Sequence, residues 1–321
     1  SAMASSERIF RLLDTEPTVK PPVSPRPLPS PVRGEVVFED VWFRYAVPSS
    51  EFRVPSDGAA DSGATVEAPR APTPRPGEPG TGHPSGEGWV LKGVSFRASP
   101  GQTIALVGHT GAGKTTIINL LLRFYDPERG RITVDGIDIR ELDPGDLRGL
   151  IGFVQQDLFL FTGDIEHNLI LDAEILPARA REAAARVGAD RFIQRLPDGY
   201  GHVLGERGRS LSVGERQLLS FARALARDPR ILVLDEATSS VDAEAEAQIQ
   251  VAVSELMRGR TSLVVAHRLS TILNADEILV LHHGEIRERG THRALLAAGG
   301  LYERLHRLQQ GGEERPRSLS A

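Results

Sequence analysis

Short, mainly apolar runs recur along the last two-thirds of this chain and predict β-strands, of which those at 103–107 and 231–234 have the character of buried strands. The runs occupy residues 103–107, 130–134, 151–154, 231–234, 262–265 and 277–281. From residue 231 onwards, helical patterns alternate with these runs, which indicates parallel β-α-β units. An apolar stretch at 116–122 follows the first run and has the character of a buried helix.

Residues 35–45 alternate between polar and apolar side chains, which is the period of a half-buried strand. The residues predicted to share one face are Val37, Val41, Phe43 and Tyr45. Strand pattern resumes within residues 89–96. Between the two, residues 48–88 hold eight prolines, seven glycines and one aromatic residue, Phe52. Such a segment buries too little apolar surface to offset its ordering entropy, so we predict a disordered insertion in a hairpin.

Composition divides the chain into a linker, one domain and a tail. Residues 1–33 begin with a segment that resembles a cloning tag and hold seven prolines from residue 17 onwards, which predicts an extended linker. Residues 34–310 carry the patterns of a folded domain, mostly helical over about 158–228. Residues 311–321 are polar and are expected to form a disordered tail.

Charge and cysteine content exclude several classes of protein. The formal net charge of −5 provides no basic field for nucleic acid, and the absence of cysteine excludes disulfides and thiolate metal sites. No apolar run approaches the roughly 18 residues of a membrane-spanning helix. We therefore expect this part of the protein to be soluble.

The first apolar strand leads into Gly-His-Thr-Gly-Ala-Gly-Lys-Thr at residues 108–115, which fits the phosphate-binding P-loop pattern. Glycines let the backbone coil so that successive N–H groups point at phosphate oxygens, and the following helix presents its positive end to the same anion. Lys114 can reach the β- and γ-phosphates, and the Thr115 hydroxyl can bind Mg²⁺. The alternative, an ordinary glycine-rich turn, does not explain the strand–loop–helix context.

Two later strands end in residues suited to nucleotide hydrolysis. The run at 231–234 is followed by Asp235 and Glu236, which beside a P-loop are expected to order Mg²⁺ and to activate water. An N-cap role for Asp235 would explain only one of the two carboxylates. His267 follows the next strand, although a lone histidine in such a place is more often structural.

Residues 211–217, Leu-Ser-Val-Gly-Glu-Arg-Gln, resemble the signature sequence of ABC-transporter ATPase domains, whose pattern is L-S-G-G-Q. The Q-loop Gln156, the X-loop at 205–208, the D-loop at 239–242 and the H-loop His267 occur in the order of that family. The resemblance extends over about residues 34–310 and favours the exporter branch.

The resemblance implies an α/β fold: a P-loop NTPase with a RecA-like core and an antiparallel β subdomain, plus an α-helical signature subdomain. It implies that ATP and Mg²⁺ bind, with Glu236 as general base, His267 as γ-phosphate sensor, and Gln156 beside the metal. The metal ligands would be Thr115, Gln156 and Asp235. The nucleotide would contact Tyr45, Gly108, His109, Thr110, Gly111, Ala112, Gly113, Lys114, Thr115 and Thr116, and a partner's nucleotide would contact Ser212 and Gly214. Tyr45 would stack on adenine, with a strand-core tyrosine as the alternative.

The resemblance also implies partners and a location. A second ABC ATPase domain would stack head to tail on this one, and a transmembrane domain would precede it on the same full-length chain. The domain would then lie at the cytoplasmic face of the cell membrane. Two alternatives stay open: a soluble ABC ATPase of DNA repair or chromosome organisation, and a regulatory subunit that binds ATP without turning it over.

The signature departs from the family pattern at Val213 and Glu215. A β-branched residue does not readily adopt the positive φ available to glycine, and Glu215 would bring negative charge near a partner's nucleotide. These departures suggest one half of a heterodimer with a weakened site at this signature. A homodimer that tolerates both residues is the alternative.

Overall fold

The structure is a computed structural model. The residues it describes are 19–45, 88–155, 159–171, 175–205, 208, 210–235, 243–265 and 269–313. The predicted insertion, apart from Gly88, lies outside the described residues, as do residues 314–321 of the predicted tail.

Twelve strands are present in the described part of the chain. In chain order, β1 to β12 are Val36–Phe43, Leu91–Ala98, Thr103–Val107, Arg129–Val134, Ile137–Asp138, Ile151–Val154, Gly163–Asp164, Val203–Leu204, Ile231–Asp235, Thr261–Val265, Glu277–His282 and Glu285–Gly290.

The α-helices of the same residues are mostly short. In chain order, α1 to α10 are Lys114–Leu121, Pro144–Gly149, Ile165–Ile170, Pro177–Arg186, Asp190–Ile193, Val213–Ala226, Ala243–Met257, Leu269–Leu273, His292–Ala298 and Leu301–Glu313. None of these helices has both the length and the apolar content needed to cross a membrane.

The strands form two main sheets and one small hairpin. A four-stranded antiparallel sheet has the order β2-β1-β4-β5, and a six-stranded sheet has the order β12-β11-β3-β10-β9-β6. In the second sheet all neighbouring pairs are parallel except β11 with β12, the antiparallel edge pair. The predicted parallel core is confirmed, whereas the sequence pattern did not indicate β12.

The five parallel strands of the six-stranded sheet are buried on both faces, which explains why they are continuous apolar runs, whereas the edge strand β12 is polar and partly exposed. In β3, Ala105 and Val107 belong to a core shared with the helices α3 to α7. Ile104 and Leu106 belong to a second core, shared with α1 and the antiparallel sheet. The sheet therefore joins a helical lobe on one side to a β lobe on the other.

The predicted face of β1 is wrong in its first half. Val36 and Phe38, and not Val37, share a core with Val41 and Phe43. The pairing register shifts between Phe38 and Val41, around Asp40, whose φ is +47°. An irregularity of this kind inverts the alternation, and the sequence pattern assumes that the alternation is unbroken.

The proline-rich segment that precedes β1 lies against the β lobe where it is described. The Arg26 N–H donates to the Glu141 carbonyl at 2.8 Å, and Leu28 packs on the β-lobe core. The Asp135 carboxylate accepts hydrogen bonds from the backbone N–H groups of residues 33, 34 and 35, at 2.7 to 3.1 Å. The linker therefore enters the domain in a fixed direction.

Candidate nucleotide-binding site

The P-loop connects β3 to α1 and packs closely against β11. A β-carbon at Gly108 would lie 2.4 Å from the Leu281 carbonyl oxygen, so only glycine fits. Gly113 has φ +106°, and a β-carbon there would lie 2.6 Å from the side chain of Leu91. The loop needs glycine at both positions for steric reasons, in addition to any ligand.

Lys114 begins α1 and folds back over the loop. Its ammonium donates to the carbonyls of Gly108 at 2.6 Å and His109 at 3.0 Å. Only 8% of Lys114 is exposed. Burial lowers the pKa of this ammonium, and the Asp235 carboxylate opposes the shift. A positive charge is thus held at the centre of the loop.

Strand register places Asp235 at the level of the P-loop. In the six-stranded sheet, Leu106 of β3 pairs with Val265 of β10, and Val265 pairs with Asp235 of β9. Open α/β sheets bind ligands in the crevice at the carboxyl ends of their strands. Asp235 and Lys114 both lie at that crevice, and the carboxylate charge acts on the ammonium.

The remaining P-loop residues form the rim of the same crevice. His109, Thr110 and Gly111 are exposed at the tip, Ala112 is buried, and Thr115 is exposed on the first turn of α1. The Thr115 hydroxyl and the Asp235 carboxylate are the oxygen donors that Mg²⁺ prefers, so the residues present fit that ion.

Tyr45 lies two residues beyond the end of β1 and is 39% exposed. Its hydroxyl is 3.2 Å from Oγ1 of Thr116, a buried residue of α1. This position contradicts the alternative of a strand-core tyrosine. It places an aromatic ring beside the helix that follows the P-loop.

The signature residues lie in the helical lobe. Ser212 and Gly214 line a separate cleft of about 350 Å³, together with Arg191, Glu215 and Glu244. Ser212 is the N-cap of α6, and its backbone N–H donates to Glu215 Oε2 at 2.8 Å. In return, the Glu215 N–H donates to Ser212 Oγ at 3.2 Å. The pair is a capping box, which satisfies two N–H groups of the helix start.

The capping box changes the interpretation of the two signature departures. Val213 is the first residue of α6 and does not have a positive φ, so the expected backbone strain there is wrong. The Glu215 side chain caps its own helix by accepting the Ser212 N–H, and a glutamine side chain can accept the same N–H. Its carboxylate nevertheless lies at the helix end expected to meet a phosphate.

Several predicted residues lie outside the described residues: Gln156, Glu206, Arg207, residues 239–242, Glu236 and His267. For two of them, a nearby residue is described. Glu236 follows Asp235 directly, and His267 comes two residues after Val265, the residue that pairs with Asp235. Their roles stay predictions from the sequence.

Sequence reasoning missed a buried polar network that shapes the surface after β6. The Arg223 guanidinium donates to the carbonyls of Asn168 at 2.8 Å and Phe159 at 3.0 Å. Asn168 exchanges two hydrogen bonds with the backbone of Phe161. Burial lowers the pKa of Arg223 to about 10, and the nearby Arg227 charge adds to the shift. The network holds Phe159 and Phe161 at the surface, 51% and 45% exposed.

Comparison with known proteins agrees with this geometry. The profile of the family described as ABC transporter matches residues 91–239. A solved structure described as a bacterial Atm1-family ABC exporter with ATP bound superimposes with a TM-score of 0.75 at 34% identity. That alignment covers 99% of this chain and 48% of the other. The chain contains an ATP-binding domain of the ABC transporter family. The resemblance and the fold class inferred from the sequence are confirmed.

Similar curated proteins are longer than this chain. It is 43% identical over 314 residues to the ABC transporter ATP-binding protein YknV of Bacillus subtilis, covering 96% of this chain and 44% of that protein. It is 42% identical over 313 residues to an ATP-dependent lipid A-core flippase of Alkalilimnicola ehrlichii, with coverages of 97% and 46%. The chain thus spans less than half the length of these relatives. This ABC domain belongs to a family that hydrolyses ATP to power transport.

The capping box predicts an asymmetric response to substitution. Ser212→Ala should lower the free energy of unfolding by about 1 kcal/mol, because the start of α6 loses its side-chain acceptor. Glu215→Gln should change it by less than about 0.5 kcal/mol, because the amide oxygen accepts the same N–H. Urea unfolding measures both.

Glu182→Ala, on the exposed face of α4, is the control for removing a surface polar group outside a cap. A Glu215→Gln variant that loses as much stability as Ser212→Ala would show that the charge, and not the capping geometry, stabilises this helix.

Proposed function

We propose that this ABC domain is the ATP-hydrolysing motor of an exporter. The observation that carries the proposal is the crevice at the carboxyl ends of β3, β10 and β9. There a buried lysine, a carboxylate and a glycine-rich loop converge on one place. Phosphates need a fixed positive charge and N–H donors, and this crevice supplies both.

ATP would enter with its phosphates on the P-loop and its adenine on the ring of Tyr45. The Lys114 ammonium would exchange the carbonyls of Gly108 and His109 for phosphate oxygens, which are stronger acceptors for a charged donor. Thr115 and Asp235 would hold Mg²⁺, with Gln156 nearby. When bound, the ion neutralises phosphate charge and orients the γ-phosphate.

Hydrolysis requires a water aligned with the γ-phosphate, and most of the catalysis is positioning and charge stabilisation. Glu236, directly after Asp235, would accept the proton of that water. His267 would contact the γ-phosphate from the end of β10. The order β3-β10-β9 supports this arrangement, because β10 lies between the P-loop strand and the strand that carries the base.

A second ABC domain would complete the site. Ser212 and Gly214 lie in a cleft whose lining includes no P-loop residue, so they would serve the nucleotide of a partner. The head-to-tail dimer places each helix α6 N-terminus opposite the other domain's γ-phosphate, where the helix dipole favours an anion. The Glu215 charge at that end supports a weaker site at this signature, as in a heterodimer with a consensus partner. A homodimer is the alternative.

A transmembrane domain would supply the second partner. A groove of about 340 Å³ lies beside the buried network of Arg223 and is lined by Phe153, Phe159, Phe161 and Arg227 among others. Related proteins are named ATP-binding/permease proteins, and this chain covers about a third of one such protein in Bacillus subtilis. We infer that a cytoplasmic segment of the permease part occupies this groove, with the ABC domain at the cytoplasmic face of the membrane.

The rival function in DNA repair or chromosome organisation is disfavoured by helix length. Those ATPases carry long coiled coils, and the longest helix in the described part of this chain has 15 residues. The sequence upstream of residue 1 tests the membrane assignment. Hydrophobic segments long enough to span a bilayer support it, and a polar upstream domain without them contradicts it.

The hydrolytic assignment predicts that Glu236→Gln separates binding from turnover. The variant should keep ATP affinity and slow hydrolysis by about 10²- to 10⁴-fold, the usual effect of a general base. A dimer that holds unhydrolysed ATP should then accumulate and be visible by size-exclusion chromatography.

Glu182→Gln makes the same change of charge at a site on α4 and should hydrolyse ATP at the wild-type rate. If Glu236→Gln hydrolyses ATP at the wild-type rate, the general base is another residue. If the wild-type protein shows no ATPase activity even at high protein concentration, the regulatory alternative is supported.

A further inference from the structure

Tyr45 belongs to a cluster of three aromatic rings at the edge of the nucleotide crevice. Its ring centre lies 4.9 Å from that of Phe43 and 5.2 Å from that of Tyr125, and both contacts are edge-to-face. The rings of Phe43 and Tyr125 are 5.5 Å apart and tilted against each other. Each ring thus contacts the other two, and we call this group the aromatic triad.

The hydroxyl of Tyr45 is held by two residues of α1. It lies 3.2 Å from Oγ1 of Thr116 and accepts a hydrogen bond from Nδ2 of Asn119 at 3.4 Å. Thr116 and Asn119 are three residues apart and therefore share one face of the helix. The position of Tyr45 is thereby tied to the helix that begins at the P-loop.

Tyr125 comes from a loop that is itself fixed. The neighbouring Arg123 is 3% exposed and donates to the Asp126 carboxylate at 3.1 Å and the Leu142 carbonyl at 2.9 Å. Arg148 donates to the Arg123 carbonyl at 3.1 Å and lies over the ring of Phe124. The loop therefore presents Tyr125 to Tyr45 and Phe124 to Arg148.

We propose that Tyr125 is a positioning residue for adenine recognition, which fixes the ring of Tyr45 before the nucleotide arrives. The inference rests on the proposed function, because it takes Tyr45 as the adenine platform. A ring whose orientation is set in advance loses less conformational freedom on binding. Phe43 is buried in the strand core, whereas Tyr125 is 39% exposed, so Tyr125 is the partner that can be altered without opening the core.

The test compares two ligands that share the triphosphate and differ in the base. The affinities for MgATP and for magnesium tripolyphosphate are obtained from the rise in the melting temperature of the 321-residue chain as the ligand concentration increases. Tyr125→Leu should weaken ATP binding about three- to tenfold, the range expected for one aromatic pair, and leave tripolyphosphate binding unchanged. Tyr125→Phe keeps the ring and should bind both ligands like the wild type.

Phe124→Leu is the matched control, because it removes the adjacent ring, which faces Arg148. It should leave the affinity for both ligands unchanged. Equal losses for ATP and tripolyphosphate in Tyr125→Leu, or no loss for either, would overturn the positioning role. Loss of ATP affinity in Tyr125→Phe would overturn the assignment to the ring. A wild-type chain that binds tripolyphosphate as tightly as ATP would instead refute adenine stacking on Tyr45.

Discussion

The register of three parallel strands fixes the position of the P-loop relative to Asp235. Leu106, Val265 and Asp235 are at one level across β3, β10 and β9. The P-loop, which starts at Gly108, therefore begins two residues beyond the level of the carboxylate that ends β9, and the charge of that carboxylate acts on the buried ammonium of Lys114. A one-residue slip in either pairing would move Asp235 to the wrong face of the sheet.

Both cores of the domain support this register. Alternate residues of β3 and β9 belong to the helical lobe and to the β lobe, so neither strand can shift without exposing apolar surface on both sides. The close contact of Gly108 with the Leu281 carbonyl adds a third constraint from β11. The nucleotide crevice is thus held by packing, and the loop that lines it is shaped before any ligand binds.

Sequence patterns predicted the parts of the molecule whose geometry is local or repeated. The buried strands at 103–107 and 151–154, the P-loop and the helical signature region follow from apolar runs and motif spacing. The face of β1 did not, because the irregularity at Asp40 depends on pairing with two other strands. Ser212 and Glu215 have the spacing of a capping box, whereas comparison with the family pattern shows Glu215 only as an added negative charge. The network of Arg223 and Asn168 joins residues 55 positions apart, for which no local pattern exists.

The central claim is that the buried ammonium of Lys114 forms the phosphate site at the carboxyl edge of the sheet. Calorimetry of MgATP binding to Lys114→Ala tests it most directly, with Lys92→Ala as the control that removes a lysine from β2. We expect Lys114→Ala to weaken binding at least about a hundredfold, because a charge-assisted hydrogen bond is lost in a partly dry site. The control should bind MgATP like the wild type. An unchanged affinity in Lys114→Ala would contradict the account, since the convergence of the loop, the lysine and Asp235 would then have no part in nucleotide binding.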